Sequence, residues 1–145
     1  MSDIALFDAI VEDLSSLKPG RDRPSRYQAR EVLLHLGQAI EAHEDVTLRL
    51  SRLSEAVAPV QEAWLAALDE EINLAGAEHI LGVDPRFLDH PSYDLEYTLG
   101  ARQRLEWRLL ALEALAVPVP PGLMKRIIAA DELLAAHRAS LPDKS

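Results

Sequence analysis

The chain has 145 residues, of which 48% are hydrophobic and 27% are charged; it contains no cysteine and carries a formal net charge of −9. These values are typical of one globular domain over residues 1–145 and argue against a disordered chain. The lack of cysteine excludes disulfides, thiol catalysis and thiolate metal sites. The negative charge disfavours binding to nucleic acid and to anionic membranes, and no apolar run approaches the roughly 18 residues of a transmembrane helix. We therefore expect a soluble, cytoplasmic protein with no membrane partner.

Apolar residues recur at intervals of three and four along most of the chain, which is the period of an α-helix. Loops and proline-containing connectors interrupt this pattern. The helices predicted between them are a short first helix over 3–17, a long second helix over 24–57, and helices over 60–81, 93–116 and 121–140. The strict alternation of a strand is absent.

The long second helix is the element on which the predicted fold depends. Leu33, Leu36 and Ile40 share one stripe with Leu50 and Val57. The side chain of Ser25 can cap the first turn of this helix. Short connections make sequential helices antiparallel neighbours. The sequence therefore predicts an all-α, up-down bundle of about five helices, with the short first helix closing an end or a side.

The later helices also have predicted inner faces. In the third helix the inner residues are Leu65, Leu68, Ile72, Ala75 and His79, with Trp64 on the flank. In the fourth they are Leu95, Leu99, Leu105, Leu109 and Leu112, and in the fifth Leu123, Ile127, Ala130, Leu134 and His137. Ser92 is the predicted N-cap of the fourth helix.

A polar layer crosses the predicted bundle. His43 and Thr47 interrupt the apolar stripe of the second helix. If all helices are straight and rise about 1.5 Å per residue, the level of His43 matches Arg102 and His137, with Glu71 one turn away. Buried imidazole and guanidinium groups need partners. Two interpretations follow: these side chains bond to one another and hold the bundle in register, which we favour, or they line a pocket for a small molecule or metal ion.

A second candidate site lies within the second helix. The segment Arg30-Glu-Val-Leu-Leu-His35 has the spacing R-x4-H. It resembles the signature of HEPN-type ribonucleases, which are all-helical and often dimeric. The resemblance implies that Arg30 and His35 form a catalytic pair facing a dimer cleft. The competing interpretation is a solvated surface pair, because His35 lies off the leucine stripe.

Other catalytic motifs are absent from the sequence. It contains no Gly-rich phosphate loop, no G-x-S-x-G, no H-E-x-x-H and no Glu-x-x-His. We therefore expect no metal ion and no cofactor, and we predict a non-catalytic interaction or binding protein that forms a homodimer or binds a protein partner. Trp and Tyr are enriched at interfaces, and the aromatic residues at flanking positions are Trp64, Tyr93, Tyr97 and Trp107. A ligand-binding bundle and a HEPN-like ribonuclease are the alternatives.

Overall fold

The structure is a computed structural model that describes the backbone of residues 3–141 and the side chains of residues 4–141. In this range it is helical throughout its regular structure, without a β-strand, so the prediction of an all-α protein is confirmed. The elements are α1 (Asp3–Ser15), α2 (Arg26–Glu41), α3 (Thr47–Val57), a 3-10 turn (Ala58–Val60), α4 (Gln61–Gly82), the short α5 (Pro85–Leu88), α6 (Leu95–Ala114) and α7 (Pro121–Ser140). None of these helices combines the length and apolar character needed to cross a membrane.

The predicted long second helix is wrong, because the chain forms two helices there. At the end of α2, His43 adopts a φ of 60°, in the left-handed region. Its N–H donates to the carbonyl of Ile40 at 3.0 Å, and the N–H of Glu44 donates to that of Ala39 at 2.9 Å. This is the Schellman arrangement that ends many helices, usually with glycine in the left-handed position. The polar interruption of the stripe is therefore a helix end.

Replacement of His43 by glycine tests this helix end through the sign of its effect. In a left-handed position glycine relieves backbone strain, so we expect His43→Gly to raise the free energy of unfolding by about 0.5–1 kcal/mol. In an unbroken helix the same change would lower it by up to about 0.5 kcal/mol, because glycine is a weaker helix former than histidine. Chemical denaturation followed by circular dichroism measures the difference. Ala42→Gly is the matched control. Because Ala42 has an ordinary negative φ of −79°, this replacement should lower the free energy of unfolding.

Three helices form the centre of the fold. α2 packs extensively on α6, and both pack on α4, while α1 packs on α2 and α3, and α7 packs on α4. The main core draws its buried residues from α1, α2, α3, α4, α6 and the first half of α7. A smaller group, here called the C-terminal cluster, consists of Val83, Leu88, Ala130 and Leu134. This second cluster attaches the end of α7 to the segment that follows α4.

Most predicted inner faces agree with the structure. Leu123, Ile127, Ala130 and Leu134 of α7 are buried, as are Leu68, Ile72, Ala75 and His79 of α4 and Leu105 and Leu112 of α6. At the start of α4 the prediction is reversed, because Trp64 is 3% exposed and Leu65 is 40% exposed. Trp64 joins Leu53 and Val57 of α3 in the main core. Because α3 is a separate helix, it packs on the side of α4 that carries Trp64.

Two predicted helix caps have different outcomes. Ser25 caps α2 as predicted, since its hydroxyl accepts from the backbone N–H of Gln28 at 3.1 Å, and the Gln28 side chain accepts from the N–H of Ser25 at 2.8 Å. This reciprocal pair is a capping box. The predicted cap at Ser92 is wrong, because Asp94 caps α6 by accepting from the N–H of Tyr97 at 3.2 Å.

Candidate functional site

The predicted layer of His43, Arg102 and His137 does not form in the structure. His43 is exposed at the end of α2, and His137 of α7 is half-buried with its ring edge-on to Tyr93, 5.4 Å between centroids. Arg102 and Glu71 each bind other residues. The predicted layer requires a continuous helix over 24–57. Because α2 ends at Glu41, His43 does not lie at the level of the others.

Arg102 instead joins a cluster that links α4, α6 and α7, here called the Asp131 cluster. The carboxylate of Asp131 accepts from Arg102 Nε at 2.7 Å and from Nη2 at 3.1 Å, a two-point contact. His79 Nε2 lies 2.7 Å from Asp131 Oδ1, and Arg102 Nη1 donates to Glu106 at 2.9 Å. His79 is fully buried, and its second ring nitrogen, Nδ1, has no hydrogen-bond partner among the residues that the structure describes.

The environment of this cluster sets its charge states. Burial lowers the pKa of His79 and outweighs the opposing hydrogen bond and charge of Asp131, while the charge of Arg102 lowers it further. Burial would raise the pKa of Asp131, but the hydrogen bonds and charges of Arg102 and His79 outweigh it, and that pKa is lowered. At neutral pH the cluster is therefore a neutral imidazole that donates from Nε2 to a carboxylate bound by a guanidinium.

Glu71 lies in a second cluster, here called the Glu71 cluster, which links α2, α4 and α6. Arg108 donates to Glu71 Oε1 from Nε at 3.1 Å, and its Nη2 lies 3.0 Å from the same oxygen. Arg26 Nε lies 3.8 Å from the other oxygen, Oε2. The side chains of Glu71 and Arg108 are 5% and 10% exposed, and burial lowers the pKa of Arg108 in spite of the charge of Glu71. This ion pair is the most deeply buried pair of opposite charges among the described side chains.

Sequence reasoning missed Arg108 and Asp131, although the sequence carries a signal for both. Arg108 lies three residues after Leu105 and four before Leu112, on the predicted inner stripe of its helix. Asp131 lies four residues after Ile127, beside the inner stripe of the last helix. A charged residue at such a position needs a buried partner. The sequence does not identify that partner, because Arg108 and Glu71 are 37 positions apart.

The Arg30 and His35 pair is placed on different sides of α2. Residues five positions apart in an α-helix project about 140° apart. Arg30 lies with its guanidinium 5.2 Å from the centre of the Tyr27 ring and 3.4 Å from Glu31. The side chain of His35 is 10% exposed, with Nε2 3.5 Å from the other oxygen of Glu31. The solvated-pair interpretation is therefore wrong for His35, and α2 by itself does not bring the two side chains into one catalytic pair.

Each polar cluster contributes one residue to the wall of a cavity, Arg26 to a groove beside the start of α2 and Glu106 to a smaller cavity beside α6. A groove of about 670 Å³ runs between the loop that precedes α2 and the first turns of α4. Its charged lining residues are Arg21, Arg23 and Arg26 together with Asp22, Glu62 and Glu70, so its formal charges cancel. Within the described range, no group of three or more His, Asp or Glu residues is placed to hold a metal ion.

The contacts of the buried polar groups join helices that are distant in the sequence. Each cluster ties three helices together around one charge pair, the arrangement by which buried polar residues can hold helices in register. On the surface, the outer side of α4 and α6 carries the exposed apolar side chains Leu74, Leu81 and Tyr97. Comparison of the chain with models of protein families, with curated proteins and with solved structures finds no match.

Proposed function

We propose that the protein is a non-catalytic interaction module that self-associates as a homodimer through the outer side of α4 and α6. This α4–α6 face consists of Leu74, Glu78, Leu81, Tyr97 and Arg104. Its three large apolar side chains are 45%, 56% and 59% exposed for Leu74, Leu81 and Tyr97. That exposure, concentrated around one ion pair, is the observation that carries the proposal, because exposed apolar groups next to one another favour association.

The five residues form one continuous surface. Leu74, Glu78 and Leu81 follow the spacing i, i+4 and i+7, which places them on one stripe of α4. Arg104 connects this stripe to α6, since its Nη2 lies 3.4 Å from Glu78 Oε1 and its guanidinium carbon lies 5.8 Å from the centre of the Tyr97 ring. An apolar surface therefore lies on both sides of a charge pair.

The charges of this face favour a second copy as its partner. A two-fold dimer brings the same surface of two molecules together, so the surface must be complementary to itself. Glu78 and Arg104 are adjacent and of opposite charge, so Glu78 of one copy can face Arg104 of the other. The chain as a whole has a net charge of −9 and two copies repel each other. A locally neutral, apolar face is where that repulsion is weakest.

The buried polar groups support a function without catalysis. Within each cluster the ionised side chains pair with each other, Arg102 with Asp131 in one and Arg108 with Glu71 in the other. A general base must have an atom within reach of a substrate, and His79 is fully buried. We therefore infer that these clusters stabilise the fold and that binding occurs on the surface.

The dimer can be tested by a charge placed on the face. Sedimentation velocity over a range of concentrations should show wild-type protein passing from monomer to dimer. We expect Leu81→Glu to raise the dimer dissociation constant by at least about 100-fold, because a two-fold interface receives two buried like charges that cost several kcal/mol. Circular dichroism should show unchanged helix content.

Leu48→Glu is the matched control for this experiment. Leu48 is 61% exposed on α3, outside the α4–α6 face, and its replacement should leave the dissociation constant unchanged. A wild-type protein that stays monomeric at millimolar concentration would contradict the proposal. An equal loss of dimer in both variants would also contradict it, because it would show that net charge rather than this face controls association.

A further inference from the structure

The last helix is attached to the rest of the fold on one side. α7 begins at Pro121 after a connector that contains Pro118 and Pro120, and its principal helix neighbour is α4. Two of its residues, Leu123 and Ile127, join the main core, whose other members all precede residue 113. Its other two buried residues, Ala130 and Leu134, lie in the C-terminal cluster. Separation of α7 would thus leave most of the main core in place, as in local unfolding of a peripheral element.

A buried histidine lies beneath this helix. His79 of α4 is fully buried, and its Nε2 contacts Asp131 of α7 at 2.7 Å. The charged groups that face it are Asp131 from α7 and Arg102 from α6, and Glu106 of α6 binds Arg102 in turn. From α2, no charged group contributes to its environment. Glu78, its neighbour in the chain, pairs with Arg104 on the outer face.

Protonation of His79 is unfavourable while α7 is bound. Within residues 4–141 Nδ1 has no hydrogen-bond partner, so a proton there would create a buried donor without an acceptor. The new positive charge would also lie close to Arg102, and the carboxylate of Asp131 is already shared with that guanidinium. When α7 leaves, the imidazole gains contact with water and can accept the proton at little cost.

We propose that α7 is a pH-sensitive latch, in which uptake of one proton by His79 favours a state with α7 released from α4 and the surface beneath it exposed. The two states differ in the burial of the His79 imidazole, in the packing of α7 on α4 and in the contact of Asp131 with Arg102 of α6. The released state retains the core formed by α1–α6. The latch is closed at neutral pH and opens as the solution becomes mildly acidic.

The direction of the effect follows from proton linkage. The pKa of His79 lies below its ordinary value of 6.5 when α7 is bound, because the ring is buried. In the released state we expect the ordinary value. Between these two values the released state binds more protons, so each unit of pH decrease favours release by up to tenfold. Above pH 6.5 the equilibrium between the closed and released states does not depend on pH, because His79 is neutral in both. Asp131, whose pKa is lowered from 3.8, titrates below the mildly acidic range.

Hydrogen exchange measured by mass spectrometry tests the latch on the complete chain. From pH 7.5 to 5.0, after correction for intrinsic exchange rates, peptides of α7 in the wild type should lose protection by up to tenfold per pH unit below about 6.5. Peptides of α2 and α6 should keep theirs. His79→Gln, whose side-chain amide can still donate to Asp131 but does not titrate, should abolish the pH dependence of α7.

His137→Gln is the matched control, since His137 is a second histidine on the α7 side and contacts Tyr93. This variant should retain the wild-type pH dependence. Three results would overturn the proposal: protection of α7 that does not change with pH in the wild type, equal loss of protection in all helices, or loss of the pH dependence in His137→Gln alone. The wild-type comparison between helices decides the question even if His79→Gln is unstable.

Discussion

Replacement of Gly37 by alanine is expected to lower the free energy of unfolding by about 3 kcal/mol or more. A Cβ atom at this position would overlap the backbone carbonyl of Trp107 and would lie 2.5 Å from its Cα atom. Backbone atoms cannot rotate away, so α2 and α6 would have to move apart. Because these two helices share the most extensive contact between helices in the fold, their separation would loosen the centre of the core. Equilibrium denaturation in urea measures the loss.

Two other glycines provide graded controls for this prediction. A Cβ atom at Gly76 would lie 2.8 Å from a terminal methyl carbon of Leu123, which can rotate, so Gly76→Ala should cost about 1 kcal/mol. Apart from its chain neighbours and the backbone of its own helix turn, no described atom lies within 4 Å of a Cβ atom at Gly122, and Gly122→Ala should be neutral or stabilise the helix by up to about 1 kcal/mol. If Gly37→Ala were as mild as Gly122→Ala, α2 and α6 could not cross at this distance.

The second large effect is expected from Glu71→Ala, which should lower the free energy of unfolding by about 3–5 kcal/mol. The change removes the carboxylate that neutralises Arg108, whose side chain is 10% exposed. A buried charge without a partner is far less stable than the pair, and the neighbouring Arg26 adds a second positive charge 3.8 Å from the vacated position of Glu71 Oε2. Urea denaturation of the variant at neutral pH gives the value.

Two control variants distinguish the loss of this buried ion pair from the loss of an exposed one. Asp8 and Arg52 lie 3.9 Å apart and are 44% and 55% exposed, so Asp8→Ala should cost less than about 1 kcal/mol. The double variant Glu71→Leu with Arg108→Leu leaves no buried charge between α4 and α6, and we expect it to recover most of the stability. A Glu71→Ala effect as small as that of Asp8→Ala would mean that Arg108 reaches water.

Helix positions were predictable because helix formation depends on near neighbours. The last predicted helix, 121–140, coincides with Pro121–Ser140, and the predicted 60–81 is close to Gln61–Gly82. Ser25 could be identified as a cap because a capping box requires only the residues three positions apart. The inner residues of α7 followed from the same local spacing.

The break between α2 and α3 was not predictable from spacing alone. A left-handed helix end is usually marked by glycine, and His43 occupies this one. A polar residue on an apolar stripe is equally consistent with a polar layer in a continuous helix. One local signal was present and was missed, since Asp45 accepts from the backbone N–H of Thr47 at 3.0 Å at the start of α3. Hydrogen bonds from the backbone and the side chain of Thr47 lower the pKa of Asp45.

Partners of buried charges depend on contacts that the sequence does not encode locally. The sequence indicated that charged residues enter the interior, and it identified Arg102 and Glu71 among them. It paired them incorrectly with His43 and His137, because the pairing relied on straight helices of assumed length. His79 and Asp131 meet across 52 positions of the chain. Such a contact depends on the crossing of α4 and α7.

The sequence by itself determined that this protein is helical, where most of its helices lie and which of their sides are apolar, because helical period and capping act within a few residues. Only the tertiary structure decided that residues 24–57 form two helices, that Glu71 binds Arg108 and that Asp131 binds Arg102 and His79. It also decided which apolar residues of α4 and α6 stay exposed. The physical reason is that burial and charge pairing depend on which helices cross, and helix crossings are set by packing between distant parts of the chain.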